Sequence, residues 1–267
     1  MSPEYPYGYE CNEILSKSFH EFVEELGDSK LSNNDNKSKI VEKDFKETFQ
    51  VCLSKNFIDN AKIPEKPEKF GEVLNAYYNY MSTLSFKLME LFALALDLPR
   101  TFFMNKIDCH QSSLRLLNYP PIQNLNIGTH VNSEAIKIRA SEHSDYGILT
   151  ILKQDDIGGL QVRHSHNSKR SFEWEDVMPF DEHFIVNIGD LMMRWTNDKW
   201  KSTVHRVIAK QGTYESSRQS VAFFFNPNID AVIETIKSCC VGKENKYDTV
   251  ISGEYLRIKS QSAMNLV

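Results

Sequence analysis

At 267 residues the chain is long enough for one large domain, or two small ones, with a proper core, and 41% hydrophobic against 25% charged residues is ordinary for a soluble globular protein. A net charge of −5 offers no basis for nucleic acid or an anionic membrane as partner, and no apolar run reaches the roughly 18 residues of a membrane span. The five cysteines, Cys11, Cys52, Cys109, Cys239 and Cys240, form no C-x-x-C pair and are odd in number; with no cationic-then-apolar leader pattern, they point to a reducing compartment, by default the cytoplasm.

In chain order, "LSNNDNKSK" (31–39) is polar and Asn-rich and is expected to be a mobile loop. "KDFKETFQVCL" reads as helical, "NAKIPEKPEKF" as a proline-interrupted loop. "FGEVLNAYYNYMSTLSFKLMELFALALDL" carries apolar residues at three- and four-residue spacing up to Pro99, the pattern of a long amphipathic helix. From about Ser113 the texture changes. "SLRLLNY", "AIKIRASEH", "ILTILKQ", "LQVRH", "HFIVNIG", "KSTVHRVIA" and "SVAFFFN" are short, alternating or β-branched, with Pro120-Pro121, Gly158-Gly159 and Thr196-Asn-Asp198 among the turn signals between them. Many short strands at regular spacing predict a sandwich, barrel or jelly roll. "NIDAVIETI" and "SGEYLRIKSQSAMNL" read as helical again. The predicted architecture is α+β: a helical N-terminal region over 1–112, a β core over 113–228 and a helical C-terminal segment over 229–267.

Side chains two apart on a strand share a face, so His143 and Asp145 in "EHSDYGILTIL" can both point into one lumen. Alone, H-x-D is a weak signal, because a loop histidine beside a turn aspartate falls in the same relation by chance. A third ligand on another strand is what discriminates. Iron(II) sites for oxygen chemistry use two His and one carboxylate on one face and leave the other face open. His20, His110, His130 and His183 lie in polar or loop contexts, and His164 with His166 sits in "RHSHNSKR", a hairpin-tip sequence; each reads as a solvated histidine. His205 differs. It shares a face with Thr203 and Val207 on an alternating strand, and although a satisfied core histidine would look the same, it completes a two-His, one-Asp set. Arg218 and Ser220 are likewise two apart at a strand start. An arginine facing an apolar lumen costs on the order of several kcal/mol unless an anion meets it. A guanidinium fork beside a hydroxyl suits a carboxylate, and a metal triad nearby favours that reading over a surface hairpin arginine.

The segments "LRLLNYPP", "RASEHSDYGILTILKQDDIGGLQV", "FIVNIGDLMMRWTNDKWKSTVHRV" and "RQSVAFFFNPN" resemble the iron(II)- and 2-oxoglutarate-dependent oxygenases of the isopenicillin-N-synthase-like family. H-x-D, a His sixty residues past the Asp, and R-x-S occur in that order, and "DFKETFQV" and "SGEYL" extend the likeness over almost the whole chain. The resemblance implies a double-stranded β-helix (jelly-roll) core flanked by a helical scaffold. It implies Fe(II) on His143, Asp145 and His205, the distal carboxylate of 2-oxoglutarate on Arg218 and Ser220, and Tyr119 touching the cosubstrate. Asn187, Leu149, Leu160 and Phe224 or Phe225 would line the pocket, while packing in the core accounts equally for the two leucines. The expected activity is oxidation, by hydroxylation or desaturation, of a small organic substrate with dioxygen, releasing succinate and CO2, with ascorbate as a reductant and no nucleic-acid or membrane partner.

Three departures accompany the likeness. Leu117 stands where plant members have an Asn, with Asn118 adjacent; the hairpin between His205 and Arg218 is a few residues longer; and the chain begins at "MSPEYPYGYE", past the usual N-terminal segment, which implies a truncated form with an uncovered sheet edge. An aromatic wall from Tyr5, Tyr7, Tyr9 and Phe49 is conceivable, as is ordinary packing. Two other functions share the pattern: an oxidase of the same fold that does not consume 2-oxoglutarate, and a non-catalytic member acting as a binding protein.

Overall fold

The computed structural model describes residues 8–11, 44, 46–53, 63–122, 137–165, 172–242 and 244–264. Its centre is a pair of antiparallel sheets. One runs β1 (Gly8–Cys11), β2 (Glu47–Val51), β3 (Ser113–Tyr119), β10 (Arg218–Phe225), β5 (Leu149–Gln154), β8 (Ile185–Ile188); the other runs β4 (Lys137–His143), β9 (His205–Ala209), β6 (Leu160–Ser165), β7 (Phe172–Asp176). From β4 to β10 the chain passes back and forth between the two sheets, the winding of a jelly roll. A helix α1 (Phe70–Ala95) covers the outer face of the six-stranded sheet, a short α2 (Asp190–Trp195) follows β8, and β11 (Val232–Ile233) pairs with β12 (Val250–Ile251) ahead of the C-terminal α3 (Ser252–Met264). The α+β class with a double-stranded β-helix core is therefore present. No helix among the described residues is long and apolar enough to cross a membrane, and Cys109, Cys239 and Cys240 are free thiols.

Strand alternation sorts the side chains into two layers. On β10, Val221, Phe223 and Phe225 face α1, while Arg218, Ser220 and Ala222 take the opposite face, toward the second sheet. The helix answers with a stripe of Leu74, Tyr78, Met81, Ser85, Met89 and Ala93, at three- and four-residue spacing. Tyr78 meets Phe223 edge-on at 5.2 Å and Phe86 meets Phe225 at 5.9 Å. Each such side chain removed from water contributes about 1.5–3 kcal/mol. Between the sheets lies a smaller cluster of Tyr119, Ala140, Leu160 and Val207, with Leu117, Leu152 and Ile185 packed on it. Leu149 belongs to the helix-facing layer with Ile151, so the wall position on β5 that looks between the sheets is Leu152.

Several expectations are corrected. "KDFKETFQVCL" is not helical: Glu47–Val51 is a strand held between β1 and β3, and this two-sided ladder outweighs a helical spacing of apolar residues. "NIDAVIETI" likewise contributes a short strand, because its partner is Val250–Ile251, almost twenty residues on. Strand β7 and helix α2 carry no signal that stood out in the sequence. Tyr9 and Phe49 are register partners on β1 and β2 and so share a face, Phe49 packed against the helix-facing core and Tyr9 exposed; Tyr5, Tyr7, 31–39, His20, His130 and His166 lie outside the described residues.

His110 is not a solvated loop histidine. Its ring packs against Tyr78, Phe86 and Phe225, and its Nδ1 is 2.9 Å from Ser112 Oγ. Burial pushes the imidazole down to about 4 from an ordinary value of 6.5. The unfolded chain then takes up a proton before the folded one, so stability is full above 6.5 and falls as the pH drops toward 4. Replacing His110 by Phe should flatten the decline of melting temperature across that window; an unchanged slope in calorimetry would refute the assignment.

Candidate active site

The antiparallel pairing of β4 with β9 sets His143 directly opposite His205, with ring centroids 4.3 Å apart. Asp145 follows two residues later, in the connection to β5, and its Oδ1 lies 3.8 Å from His205 Nε2. One ligand atom from each of His143, Asp145 and His205 falls within 4.8 Å of the others, a group able to hold a metal ion.

The histidine tautomers follow from their neighbours. His143 Nδ1 lies 2.7 Å from the Ser141 carbonyl oxygen and His205 Nδ1 lies 3.0 Å from that of Thr203. A carbonyl can only accept, so each Nδ1 carries the hydrogen and each Nε2 presents a lone pair to the shared space. Desolvation, reinforced by the neighbouring His205, pushes His143 down to about 4. The imidazole is thus neutral at physiological pH, the form a metal requires. Asp145 is 6% exposed, and burial alone would raise its carboxyl; His205, His143 and hydrogen bonds from Asn187 and Thr150 outweigh this and hold it below the usual range. Asn187 Nδ2 donates to Asp145 Oδ2 at 2.7 Å, which leaves Oδ1 directed at the histidines.

Close backbone approach holds the Asp145 loop. The amides of Asp190 and Gly189 donate to the carbonyls of Asp145 and Ile148, at 2.8 and 2.9 Å. A Cβ on Gly189 would come within 2.2 Å of the Gly147 carbonyl oxygen, and one on Gly147 within 2.9 Å of that of Phe225; only glycine fits at either place. On the other side, Asp44 Oδ1 accepts from the amide and hydroxyl of Ser141 at 2.9 and 2.8 Å while its Oδ2 pairs with Lys46 at 3.1 Å. Asp44 and Lys46 thereby brace the residue whose carbonyl orients His143. Nothing in a single sequence distinguishes this pair from surface charges.

A second polar group lies between the sheets. Arg218, 1% exposed, donates through Nε to the Gly158 carbonyl at 2.8 Å, through Nη2 to Gln154 Oε1 at 2.9 Å and through Nη1 to Ser220 Oγ at 3.3 Å, and its guanidinium sits 5.1 Å from the centre of the Tyr119 ring. Tyr119 is its register partner on β3. Every hydrogen-bond acceptor of Arg218 among the described residues is neutral. Leu117 shares the inner cluster with Leu160, whereas Asn118 faces the other way and donates to Glu47 Oε2 at 2.7 Å; the neighbouring Asn therefore does not substitute for the one that Leu117 replaces. Phe224 lies under the Arg115 guanidinium at 5.4 Å. A cavity of about 520 Å³ opens beside these groups, lined by Leu152, Gln154, Val162, Val177 and Ile185. Gln154 is the residue that holds Arg218, and Val162 is the register partner of His205.

Comparison with known proteins matches residues 111–227 to the 2OG-Fe(II) oxygenase superfamily. The 2-oxoglutarate-dependent dioxygenase htyE of Aspergillus rugulosus is 31% identical over 94% of this chain and 70% of its own length. The 2-oxoglutarate-Fe(II) type oxidoreductase hxnY of Emericella nidulans is 33% identical over 74% of this chain, which spans only 53% of that relative. Among solved structures, that of a full-length Neurospora crassa protein in complex with alpha-KG superposes with a TM-score of 0.70 at 32% identity, covering 81% of this chain and 69% of that one. The same Neurospora crassa protein in complex with alpha-KG and thymine gives 0.74 at 26% identity, covering 100% and 76%.

Because Asn187 holds one carboxylate oxygen of Asp145, Asn187→Ala should weaken Mn(II) binding about 10- to 100-fold in anaerobic titration calorimetry. Unchanged affinity would show that the hydrogen bond does not orient a ligand.

Proposed function

The chain belongs to the 2OG-Fe(II) oxygenase superfamily, and on that premise we propose that it is an Fe(II)- and 2-oxoglutarate-dependent oxygenase oxidising a small organic molecule. The observation that carries this reading is the coexistence, between the same two sheets, of two imidazoles converging with a carboxylate and a buried arginine whose hydrogen-bond acceptors among the described residues are all neutral. Two nitrogens and one carboxylate oxygen are the donor set of non-haem iron(II), and they leave one face of the metal open. His143, Asp145 and His205 would hold the metal; Arg218, Ser220 and Tyr119 would hold the distal carboxylate of 2-oxoglutarate. When bound, iron(II) and 2-oxoglutarate supply the activation of dioxygen, coupled to decarboxylation of the cosubstrate to succinate and CO2 and oxidation of the substrate.

The protein's own contributions are orientation and exclusion of water. The Ser141 and Thr203 carbonyls fix which imidazole nitrogen faces the centre, and Asn187 fixes which carboxylate oxygen does. Gln154 and the Gly158 carbonyl hold the Arg218 fork rigid, so a carboxylate meets a preorganised donor set. Leu117, Leu152, Leu160 and Ile185 supply the apolar cluster between the sheets. Residues 113–228 are the catalytic unit in this reading, and the cytoplasm its compartment. That the Neurospora crassa protein is seen with thymine supports a substrate of comparable, small size.

Anaerobic addition of Fe(II) and 2-oxoglutarate should produce a visible charge-transfer band, and admission of oxygen should release succinate. Arg218→Met should raise the concentration of 2-oxoglutarate needed for half the band by about 100-fold, since hydrogen bonds to charged groups contribute about 1.5–3 kcal/mol. No band from the metal-loaded protein, or substrate turnover without 2-oxoglutarate, would overturn the assignment.

A further inference from the structure

A second buried arginine stands near the first. Arg139, on β4, is 1% exposed, yet only one of its three guanidinium nitrogens has a partner: Nη2 donates to the carbonyls of Ser216 at 2.8 Å and Thr213 at 3.4 Å. Its Nε and Nη1 are buried without any hydrogen-bond acceptor among the described residues. Ser216, its anchor, lies two residues ahead of Arg218, and Arg218 is paired with Tyr119, so the three side chains gather at one end of the space between the sheets. The electrostatic neighbours of the Arg139 guanidinium are Arg218, Asp155 and Tyr119. Asp155 is the one acid of the set, and its carboxylate is taken up by the backbone amides of Ile157 and Gln219.

Two guanidinium groups close together beside a single carboxylate, Asp155, with two guanidinium nitrogens lacking an acceptor among the described residues, form an arrangement that a protein keeps only where something compensates it. A water would satisfy a donor but bring no charge. A carboxylate does both, because it offers four lone-pair sites and a negative charge to two forks at once. Arg218 alone already uses Nε and Nη2 on protein acceptors, which leaves part of a carboxylate for another donor.

We propose that Arg139 is a second cation of the carboxylate pocket, donating to the distal carboxylate of 2-oxoglutarate beside Arg218 and setting the preference for a dicarboxylate over a monocarboxylate 2-oxoacid. This rests on the oxygenase reading above. It makes Arg139 a binding and specificity residue, distinct from Arg218 and Ser220 in strand, sheet and sequence.

The test is direct binding to the Mn(II)-loaded protein by titration calorimetry, with 2-oxoglutarate and with 2-oxobutyrate, which lacks the distal carboxylate. Arg139→Met should weaken 2-oxoglutarate at least about tenfold and leave 2-oxobutyrate within twofold of the unmutated protein. Equal loss for both acids, or no loss for either, overturns the proposal. Arg139→Lys keeps a charge without the fork and carries the same comparison if the Met variant does not fold: a smaller loss confined to 2-oxoglutarate is expected, and wild-type affinity for it counts against the proposal. Should the unmutated, metal-loaded protein bind no 2-oxoglutarate, the oxygenase reading itself falls; should it bind and Arg139→Met match it, only the role of Arg139 does.

Discussion

The register between β4 and β9 is the constraint on which the rest depends. A slip of one residue in either strand would turn its inward side chains outward, and His143 would no longer stand opposite His205. The pairing is irregular, with register shifts between Ile138 and Ala140 and again before His143. Such irregularities re-aim side chains at the ends of strands, and here the one before His143 delivers the ring to the mouth of the sandwich. Gly147 and Gly189 then let the β4–β5 connection lie against α2 and the end of β10. Asp145 is held by the Asp190 amide on its carbonyl and by Asn187 on its carboxylate, without any strand of its own.

The site is built from costly choices supported by an apolar scaffold. Buried arginines, a buried carboxylate and paired imidazoles all oppose folding unless partnered. What offsets them is the apolar layer on the other face of the six-stranded sheet, where α1 packs against Phe223, Phe225, Leu114 and Ile151. The division follows from strand alternation. The same β10 that offers Val221, Phe223 and Phe225 to the helix offers Arg218, Ser220 and Ala222 to the interior, so one strand faces the apolar core on one side and carries the buried polar pair on the other. α3 is fastened to the same region through Lys259 and Asp190 at 3.0 Å, at the start of the short helix that flanks the Asp145 loop.

His110 and Asn118 show how contact decides the role of a polar side chain. Both sit in sequence contexts that resemble solvated loops or cosubstrate ligands. In the structure His110 is neutral among aromatic rings, and Asn118 is turned to Glu47 on the face away from the inner cluster. The direction of a side chain across a strand, which alternates residue by residue, is enough to convert a candidate contact into packing.

Part of the site was legible: Arg218 and Ser220, two apart on β10, share a face, whereas Asp145 lies in the connection after β4 and was linked to His143 by the ordered set of H-x-D, a distant His and R-x-S rather than by strand spacing. The long helix was legible from spacing, its apolar period being sustained over Phe70–Ala95. What spacing could not reach were partners brought from far along the chain. Asp44 and Lys46 behind Ser141, Asn187 on Asp145, Gln154 on Arg218 and the half-satisfied Arg139 all depend on which strands become neighbours, as does the conversion of a helical-looking "KDFKETFQVCL" into a strand between β1 and β3. Local periodicity therefore determined which side chains could act together. The long-range ladders decided which did, because hydrogen bonds and buried charges are settled by whatever lies across the sheet, not by what lies next in the chain.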